Sequence, residues 1–261
     1  MELHQTVVLQ FNHRYVLGFA KRQCAGITDA IILDFGCGSG QTVIAGRALG
    51  LNIFGAEVFH KGIDVRIKVA EAGLLGNVVR EINAGVINFP NEHFDFIFSN
   101  QVFEHVLDID QTLQEIQRVL KPGGSALHLF PSKDVWREGH SGIPFLHWFP
   151  KNSRLRYPYA LTARRLGLGS FKRSRDREWV LRKLDYLDHF CYYRSRKSIF
   201  AEFKKYFDIT LIEDDYLRVR LGESRLHGLA PIVQWPIIRP LAMETFRKLG
   251  GMVILTTKRS T

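Results

Sequence analysis

The chain has 261 residues, 46% hydrophobic and 24% charged, a globular composition that excludes disorder or a fibrous repeat. At roughly 100–200 residues per domain, one large domain or one domain with a sizeable insertion is expected. The net charge of +10 divides into −3 over residues 1–132, +10 over 133–200 and +3 over 201–261, so the excess sits in the middle of the chain and suits an anionic partner such as nucleic acid, a phosphorylated metabolite or an anionic lipid surface.

Cys24, Cys37 and Cys191 are isolated, with no CxxC pair and no histidine at ligand spacing, so neither a disulfide framework nor a metal site is expected. The beginning, MELHQTVVLQFNHRYVLGF, lacks a basic start followed by an unbroken apolar stretch, and no window of 18 residues is apolar and uncharged. A cytoplasmic protein without a membrane span is the expectation.

In chain order, residues 12–24 read as a leading helix. AIILDFG (30–36) is a continuous apolar run typical of a buried strand, followed by a glycine turn and a helix over 42–50. LNIFGAEV (51–58) is a second strand, 62–76 a helix ending in glycine, NVVREINA (77–84) a third strand and FDFIFSNQ (94–101) a fourth. The helix at 108–124 carries Leu113, Ile116, Val119 and Leu120 on one face and stops at Pro122-Gly123-Gly124. SALHLFPS (125–132) is the fifth strand. Residues 133–197 turn aromatic, proline-bearing and arginine-rich, which predicts a cap insertion with one or two short helices. The pattern then resumes with a helix at 198–207, a strand at 208–216, an excursion through Pro231, Pro236 and Pro240, and a last strand at 251–258. Strands alternating with helices predict an α/β protein: a Rossmann-like, seven-stranded, mostly parallel sheet with helices on both faces and a basic cap after the fifth strand. The expected divisions are a core at 1–132, a cap at 133–197 and a sheet-completing segment at 198–261.

Gly36, Gly38 and Gly40 leave the backbone bare where a ligand approaches it, and the next helix presents its N–H groups. The spacing is G-x-G-x-G with Gln41 in the sixth position, which disfavours a dinucleotide. Glu57, at the end of the second strand, is placed to accept hydrogen bonds from both hydroxyls of a ribose. Adenosine binding follows as the expectation.

DFGCGSG, Glu57, the Asn83-Ala84 pair, FDFIFSNQVFEHV (94–106) and LQEIQRVLKPGG (113–124) together resemble the class I S-adenosylmethionine-dependent methyltransferases, in particular their small-molecule, type 11-like branch. The resemblance covers about residues 28–132 and implies S-adenosyl-L-methionine as cofactor. It implies that Asp34 and the turn of Gly36, Cys37, Gly38 and Gly40 hold the methionine end and Glu57 the ribose, with Val58 beside it. Asn83 and Ala84 would meet the adenine edge, and Asn100 and Gln101 would wall the sulfonium. The family usually has Asp where this chain has Asn83, an uncharged residue that weakens or displaces the adenine contact.

SNQV (99–102) is not the proline-rich tetrapeptide with which resembling enzymes grip a planar base or amide nitrogen, so an oxygen acceptor is expected. A hydroxyl acceptor needs a general base, and His105 and His140 are the candidates. His147 is the weaker third, and the Glu138, His140, His147 spacing matches no familiar metal pattern. Tyr157, Tyr159, Tyr186, Tyr192 and Tyr193 either line the acceptor pocket or form the cap's own core. Arginines at 154, 156, 164, 165, 173, 175, 177 and 182 suit phosphate. The expected acceptor is therefore a small phosphorylated, glycan or lipid-linked molecule. GIPFLHWFP and PIVQWPIIRP add an expectation of peripheral contact with an anionic membrane, at its inner face. An RNA methyltransferase and a non-catalytic cofactor-binding protein are the competing readings, with nucleic acid disfavoured by the absence of an RNA-binding module. Oligomeric state is undetermined by these features.

Overall fold

The computed structural model describes residues 9–59, 65–170 and 176–259. Seven strands form one sheet: β1 (Ile31–Phe35), β2 (Asn52–Glu57), β3 (Val79–Glu81), β4 (Phe94–Asn100), β5 (Leu120–Phe130), β6 (Phe207–Leu211) and β7 (Met252–Lys258), in the order β3-β2-β1-β4-β5-β7-β6. β1 pairs in parallel with β2 and β4, β2 with β3, and β4 with β5; β7 runs antiparallel to both β5 and β6. This is the mostly parallel, Rossmann-like sheet that the alternating pattern predicts.

Central strands are apolar on both sides because helices cover both faces. On one face, α4 (Ile109–Val119) contributes Leu113 and Ile116, and α7 (Arg196–Tyr206) contributes Ile199 and Phe203, to a core with Leu33, Ile97 and Ala126. On the other, α1 (Phe11–Gln23), α2 (Gln41–Ala48), α3 (Val65–Glu71) and α8 (Glu213–Gly222) bury Val16, Val43, Val69 and Tyr216 against Ile32, Phe96 and Leu127. Asp108 caps α4 by accepting from the Gln111 N–H at 2.9 Å, the side-chain cap expected of an aspartate at that position.

Two boundaries move for identifiable reasons. The helix expected over 108–124 ends at Val119, and the strand begins at Leu120 with Pro-Gly-Gly inside it, because Leu120 already pairs with Phe94 and the register shifts before Ser125 meets Phe96. Lys121 pins that irregular stretch with an ion pair to Asp95 at 2.8 Å. The strand expected over 208–216 stops at Leu211, since Glu213, Asp214 and Asp215 open α8, where the positive end of the helix dipole favours acids. The third strand is also shorter than 77–84, and residues 62–64 of the expected third helix lie outside the described residues.

Residues 133–197 hold a 3-10 turn at Leu146–Trp148 and two helices, α5 (Arg156–Arg165) and α6 (Asp176–Phe190). They enclose their own apolar core of Ile143, Leu146, Ala160, Trp179, Val180 and Leu187. The last helix, α9 (Arg239–Leu249), begins with Pro240 in its first turn, where proline's missing N–H costs nothing.

Candidate active site

β1 ends at Phe35 and the chain turns through Gly36, Gly38 and Gly40, all at positive φ (75°, 55° and 78°). A Cβ on Gly36 would lie 2.4 Å from a methyl of Val102, so only glycine allows this close approach of the β1 turn to the loop after β4. At Gly38 a Cβ would meet no protein atom within 4 Å; its backbone faces open space. Glu57 ties the turn to β2: one carboxylate oxygen accepts from the Gly38 N–H at 2.6 Å and the other from the Val58 N–H at 2.9 Å. Both carboxylate oxygens are thereby fixed at the edge of the turn, where the residue also lines the cleft described next.

A cleft of about 340 Å³ opens beside this carboxylate, lined by Gly36, Glu57, Val58, Ile82, Val102 and Val106, with Gly85, His105 and Asp108 among its polar and backbone contacts. Apolar walls with a carboxylate at one end match a nucleoside, whose flat base wants apolar contact and whose ribose wants acceptors. Asp34 is buried behind the turn; burial, then the charge of Glu57, hold its carboxyl well above the usual carboxylate range, opposed by a hydrogen bond with the Thr42 side chain. Helix α1 closes this end, with the His13 ring 2.6 Å from the Thr42 hydroxyl and the Asn12 amide donating to Asn100 at 3.2 Å.

Of the expected cofactor residues, Gly36, Glu57 and Val58 line the cleft. Cys37 and Gly40 are buried beneath it; the Cys37 Sγ stacks under Gly55, where a Cβ would come within 2.6 Å of it. Asn83 and Ala84 are exposed on the turn after β3, and their neighbours Ile82 and Gly85 face the cleft instead. Gln101, at φ 58°, lines a second, wider cleft of about 590 Å³ with Asn12, Tyr216, Arg220 and Phe246. Asn12, His13 and Thr42 belong to no motif read from the sequence, and the valines at 102 and 106 lie in a motif that assigned them no role; only folding α1 over the turn and β4 beside β1 brings them in.

The cap lowers a second set of groups onto the loop after β4. The His105 and His140 rings stand 5.0 Å apart, with Tyr186 5.2 Å from His140. The His105 Nδ1 lies 2.6 Å from the Phe190 carbonyl, which can only accept, so Nδ1 bears the proton. Cys191 is buried, its Sγ 3.9 Å from that nitrogen. Burial and the charge of Glu138 push its thiol up to about 12. His140 is held below its ordinary value, by burial first and by the neighbouring His105 and Lys183, against the opposing pull of Glu138; it is a neutral imidazole at neutral pH. Glu138 itself accepts from the His140 N–H at 2.9 Å, the Ser141 N–H at 2.5 Å and the Tyr193 hydroxyl at 2.6 Å. His147 packs against Tyr193 and bonds the Lys133 carbonyl at 3.1 Å, away from the His105–His140 pair.

The cap's arginines divide into two kinds. Arg156 is buried against Asp188, and Arg164 is buried against Asp176 at 3.2 Å with its guanidinium 4.5 Å over Trp179. These two hold the cap together, which corrects the expectation that the whole arginine set meets phosphate. Arg154, Arg165, Arg177 and Arg182 are exposed; Arg173 and Arg175 lie outside the described residues. Tyr157, Tyr159, Tyr186 and Tyr193 pack on the cap's core.

An open α/β sheet with a glycine turn and an acid at the carboxyl ends of β1 and β2 defines a Rossmann-like fold, in which ligands bind at that edge of the sheet. Residues 33–128 match the family described as Methyltransferase domain, and this segment is the one that carries the cleft. The chain is 36% identical over 110 residues to the ubiquinone/menaquinone biosynthesis C-methyltransferase UbiE of Vibrio vulnificus, covering 40% of this chain and 42% of that one. It is 36% identical over 94 residues to the ubiquinone biosynthesis O-methyltransferase of Chelativorans sp. (strain BNC1), covering 36% and 37%. The match thus spans about two fifths of the length of these curated relatives. In fold, the YcgJ protein of Bacillus subtilis superposes with a TM-score of 0.51 at 16% identity, covering 95% of this chain and all of that one. Residues 33–128 thus match a methyltransferase domain over the segment that carries the glycine turn, Glu57 and the cleft.

Proposed function

We propose that the protein is an S-adenosylmethionine-dependent methyltransferase that transfers a methyl group to an oxygen of a small acceptor. The observation that carries this reading is the Glu57 carboxylate bonded to Gly38 at the mouth of the cleft. The residues fit the cofactor: the Glu57 carboxylate lines the cleft where the ribose would lie, Val58, Ile82 and Val102 offer apolar contact to the adenine, and the bare Gly38 backbone with Asp34 behind it suits the amino acid end. Bound there, the cofactor supplies an activated methyl group; the protein's part is to align the acceptor and exclude water. His105 borders both the cleft and the cap, so the acceptor's oxygen is activated at the His105–His140 pair.

A phosphorylated, glycan or lipid-linked acceptor is supported by the exposed arginines of the cap. Contact with an anionic bilayer is supported by Trp235, Ile237 and Leu241, the last two 92% and 71% exposed, beside Arg239 and Lys248. Among the described residues no helix is long and apolar enough to cross a membrane.

Calorimetry with S-adenosylmethionine and its demethylated product tests the cofactor, and labelled methyl transfer into fractionated extract identifies the acceptor by mass. Absence of binding by folded protein overturns the reading; binding without transfer to any fraction leaves a non-catalytic protein; label in RNA replaces the acceptor class. His140→Ala is expected to keep cofactor affinity and to lower turnover by about 10²–10⁴-fold, the usual worth of acceptor activation.

A further inference from the structure

We infer that His105, His140 and Cys191 form a binding site for one zinc-class divalent cation at the junction of the cap and the β4 loop, with a coordination position left for the acceptor's oxygen. The inference rests on the methyltransferase reading for its use, though not for its geometry.

The three residues come from separate stretches of chain, yet each offers a ligand atom within 4.8 Å of the other two. Zinc bonds of about 2.0–2.3 Å in a tetrahedron require ligand atoms about 3.3–3.8 Å apart, so the cluster closes on an ion with a contraction of up to about 1.5 Å. The donor set selects the metal: a thiolate with two imidazoles suits zinc and its thiophilic neighbours, not magnesium or calcium, which want oxygen. Three protein ligands are also the number found where a fourth position serves substrate. The His105 Nδ1 lies 2.6 Å from the Phe190 carbonyl and 3.9 Å from the Cys191 Sγ, so a backbone acceptor fixes the ring as one usually does for a ligating histidine.

A second observation points the same way. Glu104, adjacent to His105, is 1% exposed, and neither carboxylate oxygen has a hydrogen-bond partner among the described residues. The fully buried Glu138 reaches the same junction, accepting from the His140 N–H at 2.9 Å and the Tyr193 hydroxyl at 2.6 Å. A buried acid without a partner is costly to keep, and a cation held at the adjacent His105 would offer Glu104 one. On binding, the Cys191 thiol gives its proton to solvent and its sulfur bonds the metal. An acceptor hydroxyl in the remaining position is acidified by the same ion.

The test uses the full chain titrated with Co²⁺ and Zn²⁺. The expected result is one equivalent bound, with a sulfur-to-cobalt charge-transfer band that Cys191→Ser abolishes. His140→Ala should weaken binding by at least about 100-fold, more than is typical for loss of a supporting partner. Both variants should bind the demethylated cofactor as the parent does, which shows that they fold. Parent protein that binds the demethylated cofactor but takes up no more Co²⁺ or Zn²⁺ than Cys191→Ser overturns the metal site and leaves the methyltransferase reading standing. Metal uptake without cofactor binding supports the site and overturns that reading.

Discussion

The Glu57 carboxylate accepts a hydrogen bond from the Gly38 N–H at 2.6 Å, joining the end of β2 to the middle of the turn after β1. One acid thereby shapes the glycine turn and faces the cleft. Glu57→Gln retains an oxygen for Gly38 but loses the charge that a ribose diol would meet. Charged hydrogen bonds of this kind contribute about 1.5–3 kcal/mol, so the affinity for S-adenosylmethionine should fall about 10- to 100-fold by calorimetry with little change in melting temperature.

Gly36 and Gly38 should separate stability from binding. Gly36→Ala places a methyl 2.4 Å from Val102 at φ 75° and should cost about 2–4 kcal/mol from left-handed backbone and overpacking together, visible as a lowered denaturation midpoint. Gly38→Ala bears only the backbone cost, so its loss of stability should be smaller, while its methyl, pointing into open space where ligand would lie, should weaken cofactor binding. Equal effects of both substitutions on stability would contradict this division.

Cofactor binding should release a proton. Asp34 is held well above the usual carboxylate range by burial and by Glu57. A cationic amino acid end placed nearby favours the ionised form, so affinity should rise as pH increases through the range where free Asp34 is partly protonated. Calorimetry in buffers of different ionisation enthalpy measures the released proton, and Asp34→Asn should abolish the release.

Stability should fall on acidification from pH 6.5 downward. His128 is fully buried between Ser99 (2.9 Å) and Thr256 (3.5 Å), and burial lowers it to about 3. In the unfolded chain it titrates near 6.5, so the unfolded state takes up the proton first. The contribution is complete above pH 6.5 and is lost as pH falls toward 3, at up to about 1.4 kcal/mol per pH unit. His13, His93 and His147 are shifted in the same direction. Melting temperature from pH 7 to 4.5 should therefore decline less steeply, but still decline, in His128→Gln.

The cap should loosen independently of the sheet. Arg164→Ala removes a buried guanidinium from Trp179 and Asp176. Since Asp176 is 44% exposed and stays hydrated, the cost should be about 1–3 kcal/mol. Limited proteolysis should cut within 133–197 first while cofactor affinity persists. Arg165→Glu, an exposed change, should leave stability within about 0.5 kcal/mol.

The parallel sheet, the glycine turn and Glu57 were legible in the sequence because each depends on residues close in the chain: a continuous apolar run, three glycines in five positions, an acid at the tip of the next strand. Boundaries such as the start of β5 were not, since pairing of Leu120 with Phe94 outweighs the local signal of Pro-Gly-Gly. The arginines read as one basic set, yet on α5 Arg156 and Arg164 are buried and structural while Arg165 is exposed, a distinction made by which helix face meets the cap's core.

The chain's own order of residues determined the class of fold and the nucleoside cradle, where strand, turn and acid follow one another and short-range backbone geometry suffices. Only the tertiary structure decided that His105, His140 and Cys191 meet and that Ile82 and Gly85, in place of Asn83 and Ala84, face the cleft. Such neighbours are set by packing of the cap and by the twist of the β3 turn, and contacts between distant segments leave no periodic mark in a sequence.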